Sequence, residues 1–283
     1  MDVMKTYKIF IDGKFPRTES GRYYILKNAG GETLANVCKS SRKDFREAVV
    51  AARKAQAAWA SKSAYNKGQI LYRIAEMLES RKTQFVAELI SQGVSAPAAE
   101  AELAYSVDRL VYYAGWSDKY QQVFSSVNPV ESSHFNFSVP EPTGVVAILS
   151  PENTGLIGLI SAIAPAIVGG NTVIVLASSS LPLTAITFAE VLHSSDVPAG
   201  VVNILTGQRS ELLTHFANHM DVNAVVYCGE DLEEIKKIQQ LASLNVKRPL
   251  IYTKDDWMKD ESQNPYRIMD LQEIKTTWHP IGQ

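Results

Sequence analysis

The sequence predicts an α/β fold: a Rossmann-like parallel sheet of about five strands, covered by helices on both faces. The first observation is five short apolar segments with few charges after residue 143: "GVVAIL", "TVIVLA", "VVNIL", "AVVYC" and "RPLIY". The second is that helix-forming segments separate the first four, and that "DLEEIKKIQQLAS" precedes the fifth. This alternation is typical of sheets that bind ligands beyond the carboxyl ends of their strands.

Composition narrows the function classes. The chain has 283 residues, 46% of them hydrophobic, and a formal net charge of −2, without a basic run that would suit nucleic acid. Its two cysteines, Cys38 and Cys228, lie far apart and fit no metal or redox pattern, as is usual in a reducing compartment. The N-terminus lacks the apolar core of a signal peptide. We therefore expect a cytoplasmic protein.

One stretch invites a membrane interpretation, because no charged residue lies between Glu152 and Glu190. Pro165 and the turn signal Gly169-Gly170-Asn171 divide this stretch into a helix, a turn and a strand. A buried strand–helix core accounts for the pattern better than a transmembrane helix does.

The N-terminal part is predicted to be strands, turns and then helices. The first 33 residues alternate around turn signals at Asp12-Gly13 and in "NAGGETLANV". Three helical segments follow, at residues 43–61, 66–92 and 96–124, and Ser41 is the expected N-cap of the first.

The next segment is predicted to be a loop followed by a strand. "SSVNPVESS" (residues 125–133) has a loop composition. In "HFNFSV", Phe135, Phe137 and Val139 alternate with polar residues, which predicts a strand with one buried apolar face.

Several segments in order resemble one family. "FIDGKF", "AVVAARKAQAAWA", "EPTGVVAILSPEN", "IAPAIVGGNTVIVLAS", "PAGVVNILTG" and "HMDVNAVVYCG" are similar to the N-terminal half of aldehyde dehydrogenases, over about residues 7–250. "LQEIKTTWHPIG" resembles the family's final strand. The resemblance is greatest to the degenerate second dehydrogenase-like domain of two-domain aldehyde dehydrogenases. The family's catalytic domain, with its nucleophilic cysteine, would lie between these parts, and we expect it to be absent here.

The resemblance implies a domain organisation. Residues 1–124 and 140–250 would form a cofactor-type Rossmann-like domain. Residues 125–143 and 266–283 would form a small β-flap, the element that makes oligomer contacts in the family.

The resemblance also lets the catalytic positions be compared. The family needs a thiolate, a base and an oxyanion donor. Asn153 is the only retained position, and Glu152 replaces a tryptophan beside it; we expect Asn153 to cap the following helix instead. Cys228 stands where the family usually has threonine, and is expected to be a buried apolar residue. Asn245 stands at the position assigned to the base, and an amide cannot accept a proton at neutral pH.

The cofactor positions are degenerate as well. Ala177 and Ser180 replace the lysine and glutamate that hold the family's adenosine ribose. Gly207 and Gly229 are kept, but Glu230 and three further acids follow Gly229. A phosphate there would meet a repulsion of about 4 kcal/mol per close pair at an effective dielectric near 20. Arg209 could reach a phosphate but would not restore the site, so we expect no bound cofactor.

A metal site is the remaining option, because His215 and His219 are four residues apart on a predicted helix. A metal-binding helix would usually add a glutamate and a third ligand nearby, which this segment lacks. We expect solvated histidines and no metal.

These observations predict a non-catalytic aldehyde-dehydrogenase-like protein, a pseudoenzyme that assembles with and stabilises a full-length aldehyde dehydrogenase or self-associates through the flap. The alternative is a subunit of a split NAD(P)-dependent aldehyde oxidoreductase, in which Asn153 completes a site whose cysteine comes from the partner. A pocket adapted to another small ligand also stays open. Neither nucleic acid nor a membrane is an expected partner.

Overall fold

The computed structural model describes residues 4–28 and 30–282. Residues 1–3, Ala29 in the second predicted turn and Gln283 in the predicted terminal segment lie outside the described residues. The strands are β1 (Thr6–Tyr7), β2 (Tyr23–Lys27), β3 (Thr33–Cys38), β4 (Ser126–Asn128), β5 (His134–Pro142), β6 (Val145–Leu149), β7 (Thr172–Leu176), β8 (Val202–Leu205), β9 (Ala224–Cys228), β10 (Arg248–Tyr252) and β11 (Gln272–Pro280). The helices are α1 (Arg42–Ala60), α2 (Ala64–Ser80), α3 (Lys82–Ser91), α4 (Ala96–Trp116), α5 (Tyr120–Phe124), α6 (Ile157–Val168), α7 (Leu183–His193), α8 (Arg209–Asn218), α9 (Leu232–Ser243) and α10 (Tyr266–Met269), with a 3₁₀ turn at Asp260–Ser262.

A five-stranded parallel sheet forms the centre, in the order β10-β9-β6-β7-β8. Alternate residues of β6 point to opposite faces: Val146 and Ile148 join the core beneath α2, α4, α6 and α7, whereas Val145 and Ala147 join the core beneath α1, α8 and α9. The predicted α/β class with a doubly covered sheet is confirmed.

Helix α6 is the apolar segment that invited the membrane interpretation. All its residues are buried, including Pro165, and it packs beneath the central sheet. Among residues 4–28 and 30–282, no helix has both the length and the apolar character to cross a membrane.

The N-terminal helices differ in part from the prediction. Helix α1 follows Ser41 as expected, and the backbone nitrogen of Ser41 donates to the carboxylate of Asp44 at 2.6 Å. The predicted helix over 66–92 is two helices, because the chain leaves helical geometry at Arg81. The predicted helix over 96–124 likewise ends at Trp116 and resumes as α5.

A second sheet, which we call the flap sheet, has the order β11-β5-β4. Strand β11 pairs antiparallel with β5 from Gln272 opposite Pro142 to Pro280 opposite His134. The interpretation of residues 125–133 as a loop is wrong in part, since Ser126–Asn128 forms β4 against β5.

The prediction that the apolar face of β5 is buried is also wrong. The buried side chains of β5 include Asn136 and Ser138, which are 2% and 9% exposed. Asn128 donates to both, and Ser138 is bonded in turn to Thr276 of β11 at 2.8 Å. Phe135, on the opposite face, is 44% exposed. Hydrogen bonds across three strands therefore fill the polar face, and the apolar face is left open.

Residues 253–271 connect β10 to β11 and are held against α4 and α6 by Arg109. The Arg109 side chain is 1% exposed and donates five hydrogen bonds, which go to the Trp257, Lys259 and Ser262 carbonyls, the Gln263 side chain and Ser161 of α6. Burial lowers the pKa of its guanidinium. Because every bond but the one to Ser161 goes to the connection, Arg109 makes this segment an integral part of the fold.

Candidate functional site

A cleft of about 570 Å³ lies beyond the carboxyl ends of the central strands, where the parallel sheet predicts a ligand site. The loop after each strand contributes to it, and the lining includes Pro151, Asn153, Ser179, Ser180, Gln208, Arg209, Gly229, Glu230, Lys254 and Asp255.

The carboxylate of Glu152 occupies one wall of this cleft. Its Oε2 accepts the backbone N–H of Ser179 at 2.8 Å and the Ser179 hydroxyl at 3.0 Å. Ser178 Oγ and the backbone nitrogen of Ser180 lie 3.1 and 3.4 Å from the same oxygen. The residue that replaces the family's tryptophan is therefore an internal anion bound by the loop after β7.

Arg209 joins this wall to the opposite one. Its guanidinium lies 3.5 Å from Glu152 and 3.5 Å from Glu234, bonds the Ser150 carbonyl, and stands over the Tyr227 ring at 5.2 Å. Only 13% of its side chain is exposed. The sequence singled out Arg209 as a possible phosphate contact, but the guanidinium already has anionic partners within the chain.

The start of α9 is also occupied from within. Asp231 is the N-cap, and its carboxylate accepts the backbone N–H groups of Glu233 and Glu234 at 2.9 and 3.0 Å. The Tyr227 hydroxyl donates to Glu234 at 2.8 Å, and a Cβ on Gly229 would lie 2.7 Å from that hydroxyl oxygen. The helix N-terminus is thus capped by its own carboxylate, and Tyr227 covers the approach to Gly229.

The predicted cofactor positions separate into two groups. Ser180, Gly229 and Glu230 line the cleft. Ala177 is instead buried at the end of β7. Gly207 has a φ of +152°, and a Cβ there would lie 3.2 Å from the Ser40 backbone nitrogen. Glycine at this position therefore lets the chain pass close to the backbone of Ser40.

The prediction that Asn153 caps the next helix is wrong. Helix α6 begins after Leu156, and the backbone N–H groups of Leu156 and Ile157 donate to Glu102 Oε1 of α4 at 2.7 and 3.1 Å. Glu102 is only 5% exposed. A buried carboxylate from a distant helix therefore caps α6, the role that was predicted for Asn153 from the sequence. Asn153 is instead exposed in the cleft wall.

Neither thiol is accessible. Cys228 ends β9 beneath the cleft with 1% exposure, and burial raises the pKa of its thiol to about 12. Cys38 is buried at the end of β3. A protonated, buried thiol is a poor nucleophile, so the geometry agrees with the interpretation of Cys228 as a buried residue.

The assignment of Asn245 to the position of the family's catalytic base is wrong. Asn245 precedes β10, at the amino edge of the sheet, and donates to the Asn218 carbonyl. The residue that β10 delivers to the cleft is Tyr252, whose hydroxyl donates to Asp270 at 2.9 Å. Burial, followed by the Asp270 charge, raises the pKa of Tyr252. The end of the "RPLIY" strand was the signal that could have identified it.

Arg267 is a second residue that the sequence did not reveal. It is nearly buried, pairs with Asp255 at 2.7 Å and lies 4.2 Å from the Tyr252 ring centroid. Arg267 lies in the connection 253–271. Strand and helix patterns in the sequence do not predict which side chains this connection contacts.

His215 and His219 lie at the end of α8, and burial lowers the pKa of each. Over the described parts of the chain, no group of three or more His, Cys, Asp or Glu side chains is arranged to hold a metal ion.

A dinucleotide phosphate does not fit these residues. The donors of the Ser178–Ser180 loop already bind Glu152, and the start of α9 binds Asp231. Any phosphate would also face Glu152, Glu230 and Glu234 in the same cleft.

Comparison with known proteins places this fold among dehydrogenases. The model of the aldehyde dehydrogenase family matches residues 15–252. A putative aldehyde dehydrogenase, DhaS, from Bacillus subtilis is 32% identical over 86% of this chain and 49% of its own length. Cytosolic aldehyde dehydrogenase 1 of Elephantulus edwardii is 35% identical over 85% and 49%.

A solved structure shows the same fold. The NAD⁺ complex of an aldehyde dehydrogenase from Bacillus cereus superimposes with a TM-score of 0.83 at 24% identity, over 88% of this chain and 51% of that one. The chain thus spans about half the length of the relatives it matches.

Proposed function

This chain belongs to the aldehyde dehydrogenase family, and from that premise we propose that it is a non-catalytic member that assembles with and stabilises a full-length aldehyde dehydrogenase through its flap sheet. The open apolar face of that sheet is the observation that carries the proposal. Two further features support it: the cleft has no accessible thiol and its anion donors are occupied, and strand β11 has a free edge.

The cleft supports the non-catalytic part. Both thiols of the sequence are buried, so the chain offers no accessible thiol, the nucleophile that the family needs, to a substrate in the cleft. Arg209 pairs there with both Glu152 and Glu234, which leaves a net negative charge, and Glu152 occupies the donors that an anionic ligand would need.

The flap sheet supports the assembly part. Val127 and Phe135 are 68% and 44% exposed, and with Phe137 and Val139 they line an apolar groove of about 300 Å³. On the other side of the sheet, Trp278 of β11 is also exposed. Large aromatic side chains of this kind are enriched at protein interfaces, and contiguous apolar patches mark binding surfaces.

Strand β11 adds an unpaired edge. It spans Gln272–Pro280 and, within residues 4–28 and 30–282, pairs with β5 alone. A long edge strand presents free N–H and C=O groups to a further strand. An extra strand from a partner would therefore satisfy these backbone groups, and a second segment of the partner would cover the apolar groove over β4 and β5.

A full-length dehydrogenase is the favoured partner because strands β4 and β5, which line the apolar groove, lie within residues 15–252, the range that the family model matches. We therefore expect a full-length member to carry strands of the same kind. Self-association through the same face is the second outcome that the experiment must distinguish.

Affinity purification tests the proposal. The tagged chain would be isolated from its native cells, and co-eluting proteins identified and quantified by mass spectrometry. We expect a stoichiometric full-length aldehyde dehydrogenase. Its loss in the Val127→Lys variant, and its retention in Val50→Lys, would assign the contact to the flap, because Val50 is a similarly exposed valine on α1, at 62% against 68% for Val127.

The split NAD(P)-dependent oxidoreductase is the alternative, and the exposed amide of Asn153 in the cleft wall is the one feature in its favour. NAD and NADP would be titrated into the chain and into its complex. Binding that requires the chain's own cleft would favour this alternative over a purely structural role.

A further inference from the structure

We infer that the Ser178–Ser180 loop and Arg209 form an anion site that the chain fills with its own Glu152 carboxylate, so that this side chain keeps external phosphates and carboxylates out of the cleft. The inference concerns the cleft alone and holds whether or not the flap sheet binds a dehydrogenase.

The donors converge on one carboxylate oxygen. Ser179 supplies its backbone N–H at 2.8 Å and its hydroxyl at 3.0 Å, and the Ser180 backbone nitrogen lies 3.4 Å away. Arg209 lies 3.5 Å from the other oxygen of Glu152. Backbone N–H groups, a hydroxyl and a guanidinium around a single group are the partners that oxyanions prefer.

The loop keeps its shape without relying on Glu152 alone. Ser178 Oγ accepts the backbone N–H groups of Ser180 and Leu181 at 3.2 and 3.0 Å, which closes a local turn. The Tyr24 hydroxyl donates to the Ser179 carbonyl at 3.4 Å. Removal of the carboxylate would therefore leave these donors arranged for another anion.

Glu152 competes with free anions for these donors because it is part of the same chain. It lies in the loop after β6, next to the loop after β7, so its effective concentration at the site is on the order of millimolar or more. A free anion must displace it and also face the neighbouring Glu234 charge. The contact thus acts as a built-in competitor for the cleft.

Phosphate binding tests the inference directly. Inorganic phosphate and, separately, NAD would be titrated at constant ionic strength, and the amide resonances of Ser179 and Ser180 followed by NMR. The proteins would be the wild type, Glu152→Ala, Glu152→Gln and the control Glu230→Ala. Glu230 lines the same cleft and forms no hydrogen bond or ion pair with the rest of the described chain.

We expect Glu152→Ala to bind phosphate at least about tenfold more tightly than the wild type, with shifts centred on Ser179 and Ser180. Glu152→Gln preserves the size of the side chain and should also bind more tightly; it carries the test if the alanine variant fails to fold. Phosphate binding without NAD binding would identify a free anion as the ligand, and binding of both would extend the site to nucleotides.

Two results would overturn the inference. One is phosphate binding by a folded Glu152 variant that is no tighter than in the wild type. The other is an equal gain in Glu230→Ala, which would show that the overall negative charge of the cleft, and not occupation of the donors, controls anion binding.

Discussion

Glu102 Oε1 lies 2.7 Å from the backbone nitrogen of Leu156, so a buried carboxylate of α4 satisfies the start of α6. It also accepts from Ile157. This contact joins a helix of the N-terminal segment to the most deeply buried helix of the sheet layer, 54 residues further along the chain.

Replacement of Glu102 by alanine should therefore destabilise the fold. Two buried N–H groups would lose their acceptor, at a cost of about 2 kcal/mol in the free energy of unfolding. Asn153→Ala is the matched comparison, because Asn153 is nearer in sequence to α6 but makes no cap, and it should cost less than about 0.5 kcal/mol. Urea denaturation of both variants measures the difference. A larger loss for Asn153→Ala would contradict the cap assignment.

Arg109→Met should loosen the connection 253–271. The change leaves the buried carbonyls of Trp257 and Ser262, and the partly buried carbonyl of Lys259, without their donor, so we expect a loss of about 3 kcal/mol. Hydrogen exchange should show the greatest loss of protection in this connection. Arg73→Met, at an exposed arginine of α2, serves as the control and should stay within about 0.5 kcal/mol of the wild type. Unchanged protection in the connection would refute the role given to Arg109.

The thiols of Cys38 and Cys228 should be unreactive in the folded protein. Burial raises the pKa of Cys228 to about 12, so its reactive thiolate is scarce at neutral pH, and only 1% of the residue is exposed to solvent. Labelling with a thiol reagent at neutral pH should be at least about a hundredfold slower than in guanidinium chloride, where both cysteines react. Rapid labelling of Cys228 in the folded protein would contradict its assignment as a buried residue and support a role as a nucleophile.

Lys247 should make stability depend on alkaline pH. Burial lowers the pKa of this ammonium group to about 8 in the folded state, against about 10.4 when unfolded. Between these values the unfolded chain binds the extra proton, so the contribution of Lys247 to the free energy of unfolding rises with pH. The wild type should gain stability relative to Lys247→Met over this interval, as measured by urea denaturation. A constant difference between the two proteins would contradict the shift.

The fold could be predicted because its signals are local and repeated. Apolar strands such as Val145–Leu149 carry the pattern of a doubly covered sheet in their own residues. The cap of α6 could not be predicted, since Glu102 reaches it from α4 through tertiary packing. The open face of β5 escaped prediction for a related reason: alternation shows that Phe135 and Asn136 point to opposite faces, but not which face the rest of the chain covers.

The place of the cleft was predicted from the strand–helix alternation, and its negative charge from the four acids that follow Gly229. One of these acids, Asp231, caps the start of α9. The position of Glu152 in the Ser178–Ser180 loop required the structure, because the two loops meet only when β6 and β7 pair.

Sedimentation velocity of the purified chain with a full-length aldehyde dehydrogenase from the same cells tests the assembly proposal most directly. We expect a complex at micromolar concentration that is lost in Val127→Lys and Phe135→Lys but retained in Val50→Lys, with the circular dichroism of all variants unchanged. A chain that sediments as a monomer and leaves the dehydrogenase boundary unaltered would contradict the proposal.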